Sequence, residues 1–283
     1  MHKEKLSRPL DWAVTTILAI IIGMVANLLV PYPQTASYWA TVMLSSIRYY
    51  VMTGAFLILL SRHLHFRPAK LFSSHRFSIR KTMAFLLIWM ALLAAFSLIK
   101  YLIHPESYYF NNFHKFFSPM LVSVLLFTPI QTFTEELFFR CSLAHLFHDE
   151  IPSENQKQMI IYSIASGLLF SLAHISTLMK LDLGPAIQAG AFFLILGAFL
   201  MYLSLRTGGF EPAIAIHMAN NLFLDLVVCQ KDSSVLKNPA VLYSGSESFL
   251  LITELLFCIF GTLLIFYIVE KRTQTAIRPK ESE

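Results

Sequence analysis

Three groups of polar residues interrupt the apolar second half of this chain. The first is Thr134-Glu135-Glu136-Leu137-Phe138-Phe139-Arg140, which follows the apolar run Phe116–Phe133. Carboxylates and guanidinium groups cost roughly 2.5–3.5 kcal/mol each at the centre of a membrane helix. They persist there when they face a polar cavity and find a partner. Glu136 and Arg140 are four apart, so they share a helical face and can pair. Glu135 points about 100° away and is free for another task. The second group is His174, with Phe170 one turn before it. The third is His217 with Asn221, again four apart, and Asp225 one turn further. Taken singly, each has an undramatic reading. A histidine in a span can be a hydrogen-bonded packing residue, Glu136–Arg140 a structural ion pair, and Asn221 a bond between helices. Together they are an inventory for hydrolysing an amide with activated water. A glutamate serves as general base and a histidine shares or shuttles its proton. A second histidine and an asparagine can donate to the developing oxyanion. No serine or cysteine is placed as a nucleophile; Cys141 has no base beside it and reads as packing.

The elements that must position these groups are membrane helices. Hydrophobic residues make up 56% of the chain and charged ones 14%, which no ordinary soluble domain shows. We read an all-α polytopic membrane protein with eight spans, near Asp11–Val30, Tyr38–Leu60, Met83–Ile103, Phe116–Glu136, Met159–Ile175, Pro185–Leu205, Pro212–Cys229 and Phe249–Val269. The whole of 1–283 is expected to be one membrane domain. Pro31 and Pro33 end the first span, Pro129 is expected to kink the fourth, and Gly208-Gly209 with Pro212 make the turn into the seventh. Sixteen Lys and Arg then fall in loops and tails on one side, six of them between spans two and three, against four on the other. The positive-inside bias puts both termini in the cytoplasm. It also explains the net charge of +5 without nucleic acid. The three scattered cysteines form neither a disulfide framework nor a metal spacing. The N-terminal apolar run is expected to be a retained first span rather than a signal peptide. No internal repeat is visible, which gives inverted-repeat transport no support.

Glu-Glu-x-x-x-Arg at 135–140, Phe-x-x-x-His at 170–174 and His-x-x-x-Asn at 217–221 occur in this order. Between the last two runs Leu196-Gly197-Ala198-Phe199-Leu200, continuing to Arg206-Thr207-Gly208-Gly209. This resembles the CAAX-protease and bacteriocin-processing (CPBP, or ABI) family of intramembrane endopeptidases, over about Leu121–Leu226, with a peptidase core near 116–229. The first three spans and the eighth carry no such signature. The resemblance implies that Glu135 activates water with His174. It implies that His217 and Asn221 hold the scissile carbonyl oxygen, and that Glu136 and Arg140 orient and balance Glu135. It implies a peptide or membrane-attached polypeptide substrate, prenylated in the family's eukaryotic theme, met in the lipid bilayer. Two histidines and one glutamate also fit a zinc site with an open position, but His-Glu-x-x-His is absent, and the metal-free water mechanism is the reading favoured here. The rivals are a catalytically silent membrane scaffold or regulator, a zinc-dependent metalloprotease, and a proton-coupled transporter. The compact loops suit a bacterial plasma membrane.

Some expectations are finer. Glu135 is placed at the cytoplasmic end of span four, and the site near the cytoplasmic face. His174 can meet it only if span five tilts strongly or starts before the bilayer, near Gln156–Gln158. His145, His148, Asp149, Glu150 and Glu154 read as a solvated connector, and His63 and His65 as lying at headgroup level. Lys100 reads as snorkelling. Arg48 and Glu254, both buried by this topology, are expected to pair.

Overall fold

The computed structural model describes residues 2–30, 38–67, 70–74, 76–110, 119–148, 150–152, 155–230, 240–244 and 250–277. The expected boundaries at Pro31, Pro33, Phe116 and Phe249, and the loop residues Asp149 and Glu154, lie outside these. The chain is almost entirely helical: α1 (His2–Leu29), α2 (Tyr38–His63), α3 (Ile79–Ile103), α4 (Pro119–Glu136), the short α5 (Ser142–His145), α6 (Gln156–Ala173), the short α7 (Ile175–Leu178), α8 (Leu183–Thr207), α9 (Glu211–Leu226) and α10 (Leu250–Ile277). Three short strands, β1 (Tyr108–Phe110), β2 (Val228–Gln230) and β3 (Leu242–Ser244), were not legible in the sequence. They pair in the order β1-β3-β2, antiparallel and then parallel.

Among the described residues, five helices are long and apolar enough to cross a membrane: Pro9–Leu29, Ala40–His63, Ile79–Ile103, Leu183–Thr207 and Leu251–Arg272. These correspond to the first, second, third, sixth and eighth expected spans. The other three expected spans are α4, α6 and α9, of 18, 18 and 16 residues, and they are the helices that carry the polar motifs. Their polar side chains lower their hydropathy and direct them inward. α9 sits against α3, α4 and α8 and buries nearly every residue from Glu211 to Ala219, as a helix surrounded on all sides must. One apolar cluster joins α1, α2 and the region after α4, around Trp12, Phe56, Leu137 and Phe210. The other joins α3, α8, α9 and α10, around Trp89, Leu200 and Phe223.

The α-helix α4 ends at Glu136, as expected, but the helical path does not. It passes through a π-helical turn, Leu137–Cys141, and runs on to His145. The charges that looked like the edge of a span are neutralised inside the protein, so the chain can stay buried beyond them. Glu135 is therefore about 15 Å, by helical rise, from the end of this helical path rather than at it. His145 is not solvated but fully buried. It stacks on Trp12 and meets Phe66 edge-on, with its ring nitrogens 3.2 Å from the Leu71 carbonyl and 3.3 Å from that of His148.

The Gly208-Gly209 turn is built as expected. Gly208 has φ 65°, in the left-handed region that glycine adopts without a Cβ clash. Gly208 N–H donates to Leu205 O and Gly209 N–H to Ser204 O, the paired closure that ends a helix sharply. The chain then docks on the basic α2–α3 connection: Phe210 N–H donates to Phe72 O and Ser74 N–H to Gly208 O. Glu211, almost fully buried, accepts from Ser78 N–H at 3.1 Å and from Lys81 Nζ at 3.5 Å.

Candidate active site

α4, α6 and α9 bring the three motifs together. Glu136 and Arg140 are both completely buried and pair as their spacing predicts, Nη1 to Oε1 at 2.9 Å. The same Oε1 accepts from His217 Nδ1 at 2.6 Å. A carboxylate oxygen accepts only, so Nδ1 carries the proton and Nε2 of His217 is turned the other way. There it faces Glu135 Oε2 at 3.7 Å. That is too long for a direct hydrogen bond, yet close enough for strong charge interaction in a site where Glu135 is only 14% exposed. Two carboxylates flank one imidazole, and the guanidinium balances the deeper one. Within this fully buried pair the Glu136 and Arg140 charges offset one another.

Phe170 joins the second motif to this group. The Arg140 guanidinium carbon lies 4.2 Å from its ring centroid, a cation–π contact. The rings of His174 and His217 lie 4.6 and 5.4 Å from it. His174 is the cap residue after α6. Its Nδ1 donates to Phe170 O at 2.8 Å, and its ring stacks on Phe193 of α8 at 4.0 Å. The carbonyl can only accept, so Nδ1 holds a proton and Nε2 is the ring nitrogen not engaged by Phe170. Among the described residues no hydrogen bond joins His174 to Glu135; the two are related through Phe170 and His217.

Close approach of α6 and α8 sets these rings. Gly167 and Gly197 face each other: a Cβ on Gly197 would fall 2.9 Å from Gly167 Cα and 3.1 Å from Phe170 Cβ. Gly197 belongs to the stretch between the second and third motifs. Ser166 Oγ donates to Phe139 O at 3.1 Å, tying α6 to the π-turn. Such turns free a backbone carbonyl and recur at functional sites. α6 begins at Gln156, capped by Asn155.

Sequence reasoning missed two residues. Gln131 Nε2 donates to Glu135 Oε1 at 3.0 Å, so Glu135 is held by Gln131 on one oxygen while the other faces His217. Gln131 precedes Glu135 by four, and that spacing was the available signal. Asn220, 6% exposed, donates to Asn221 Oδ1 at 3.4 Å, which turns the Asn221 amide N–H groups elsewhere. Gln131, Asn220 and Asn221 line one half-open cavity of about 390 Å³. Asp225 lines it too and accepts from Thr128 Oγ1 at 2.8 Å. The expected Arg48–Glu254 pair gives way to another. Glu254 bonds Lys100 Nζ at 2.8 Å, because α10 packs on α3, and Lys100 is therefore paired rather than snorkelling. Arg48 lies over the Tyr49 ring and donates to its hydroxyl. Cys141 is buried in the first apolar cluster. Among the described residues no three of His, Cys, Asp and Glu are grouped as metal ligands.

Residues 116–223 match the model of the family described as "Type II CAAX prenyl endopeptidase Rce1-like". The match covers all three motifs, and the resemblance read from them is to that family. A Bacillus subtilis (strain 168) protein, described as uncharacterized protein YyaK, is 32% identical over 164 residues, 58% of this chain. The chain thus spans about half the length of that relative. No solved structure matches.

Proposed function

We propose that this protein is an intramembrane endopeptidase that hydrolyses a peptide bond with water activated by Glu135. The observation that carries the reading is Glu135, bonded to Gln131 Nε2 and facing His217 Nε2 at 3.7 Å, beside a cavity inside a helical membrane protein. The match of residues 116–223 to a CAAX endopeptidase family supports the reaction class. The protein spans the bilayer eight times with both termini cytoplasmic, α4, α6 and α9 being the polar, inward spans. A bacterial plasma membrane is its place, and a peptide or membrane-attached polypeptide its substrate.

The steps follow from the side chains. Glu135 takes a proton from water, and the water oxygen attacks the scissile carbonyl carbon. His174 shares that proton through Nε2. The carbonyl oxygen becomes negative and accepts from Asn221 Nδ2, which the Asn220–Asn221 bond leaves available, and from His217 as imidazolium. Collapse breaks the C–N bond, and the proton first taken from water goes to the leaving amine. Glu136 and Arg140 touch neither water nor substrate; they fix the His217 ring and its protonated nitrogen. No metal is needed in this sequence.

Asn221→Ala tests the reading against a silent scaffold. An oxyanion donor acts chiefly in the transition state, so kcat on a cleaved peptide should fall by roughly 10²–10³ with little change in peptide affinity. Loss of affinity with unchanged turnover of bound peptide would make Asn221 a binding residue. A wild-type protein that cleaves nothing, with Asn221→Ala impairing only folding, would leave the scaffold.

A further inference from the structure

We infer that the polypeptide substrate reaches Glu135 from the extracytoplasmic side, through the cavity that ends at Gln131 and Asn221. This rests on the peptidase reading and adds the side of access and the substrate class.

The cavity lies at one end of the helix bundle. Its walls are the C-terminal part of α9 (Asn220–Asp225), the C-terminal end of α3 (Lys100) and the N-terminal parts of α8 (Ala189, Phe193) and α10 (Glu254). β2 and β3 contribute Val228, Cys229 and Ser244 beyond the end of α9. Gln131 and Asn221 are each one turn from Glu135 and His217, on the side toward that end. Among the described residues the site is covered toward the opposite end. There the Phe72–Phe210 and Ser74–Gly208 backbone bonds clamp the α2–α3 connection onto the start of α9. Glu211, Phe138 and Arg140 are buried beneath it. α9 is 16 residues long, so about 24 Å separates its two ends.

Charge assigns the two faces. The clamped connection and its helix ends carry Arg62, Arg67, Lys70, Arg76, Arg80 and Lys81, a concentration that stays in the cytoplasm. The cavity face is therefore extracytoplasmic. Lys100, near that face, is already paired with Glu254 at 2.8 Å.

The lining indicates the form of the substrate. Phe127, Phe192, Phe193 and Phe223 give an apolar wall, while the amides of Gln131, Asn220 and Asn221 match a peptide backbone. A volume of about 390 Å³ is near the low end of the roughly 300–1,000 Å³ of small-ligand pockets. It takes a short extended segment and no folded domain. The substrate class is thus an extended, apolar segment of a secreted or membrane polypeptide, exposed outside the cytoplasm. A prenylated cytosolic C-terminus would meet the covered end.

The test uses the full chain with its three cysteines replaced, carrying Ala189→Cys or Leu224→Cys in the cavity or Arg67→Cys in the basic connection. A membrane-impermeant maleimide is applied to right-side-out and inside-out vesicles. The cavity cysteines should label in right-side-out vesicles and lose labelling in inside-out ones, with Arg67→Cys the reverse. Cavity labelling only in inside-out vesicles, or in neither, overturns the inference. A second measurement uses the unmodified protein and membrane-anchored reporters carrying the same apolar segment on one flank or the other. Cleavage of the extracytoplasmic reporter supports the inference. Cleavage of the cytoplasmic reporter alone overturns the side of access and leaves the peptidase reading standing. Cavity labelling from outside with neither reporter cut overturns the peptidase reading, and with it the cavity as a substrate route.

Discussion

Gln131→Met removes one hydrogen bond and little else. The side chains are similar in length, and Gln131 lies on the same face as Glu135 without touching Arg140 or Glu136 among the described contacts. What is lost is the 3.0 Å bond from Nε2 to Glu135 Oε1. A hydrogen bond to a charged group contributes about 1.5–3 kcal/mol, and each 1.36 kcal/mol is tenfold in rate. Full loss of that amount would lower kcat/KM by about 10- to 150-fold. Glu135 retains 14% exposure, so water can replace part of the bond, and the lower end is expected: about tenfold. The loss should appear in kcat, because Gln131 orients the base. The assay is kcat and KM on quenched-fluorescent peptides cleaved by the wild-type protein in nanodiscs, with thermal unfolding measured alongside. Gln131→Glu serves as the opposite control, since a second carboxylate beside Glu135 repels it. Wild-type kcat in Gln131→Met, with Gln131→Glu also unaffected, would refute the idea that this bond positions Glu135.

Glu136→Gln leaves the buried Arg140 guanidinium, at 2.9 Å, and the His217 ring, at 2.6 Å, facing a neutral amide. Breaking such a group should destabilise by about 3–5 kcal/mol, read as a lower thermal midpoint in detergent. Glu136→Gln with Arg140→Met should be less destabilised than Glu136→Gln alone; an equal or larger loss would show that the pair is not what holds the site. Exhaustive chelation followed by metal analysis should leave peptidase activity intact. Activity lost on chelation and restored by stoichiometric zinc would replace the metal-free reading with a zinc one.

The sequence disclosed most where physics is local. Long apolar runs located the helices Ala40–His63 and Ile79–Ile103 to within a few residues, and i,i+4 spacing foresaw the Glu136–Arg140 pair. Hydropathy placed the end of α4 correctly at Glu136 but missed the buried continuation to His145, because it treats every charge as wet. It has no knowledge that His217, 81 residues away, helps bury Glu136. The same blindness made His145 a loop residue, although Trp12 and Phe66 enclose it. For Glu254 the sequence offered two cations near one depth, and only the packing of α10 on α3 selects Lys100. His174 is the subtler case. Its motif was legible, but its orientation depends on Phe193 and on the Gly167–Gly197 approach, which no spacing within α6 reveals. Gln131 and Asn220 were visible as letters and overlooked because they look like ordinary polar interruptions; their work is to aim the neighbouring carboxylate and amide.

The most direct measurement compares wild type with Glu135→Gln in the same lipid, with products identified by mass. The exchange keeps shape and removes the base. The wild-type protein should cleave a peptide bond, and Glu135→Gln should insert and bind peptide as before while activity falls by orders of magnitude. Glu135→Gln cleaving at the wild-type rate would contradict the account, because the water would then be activated by some other group.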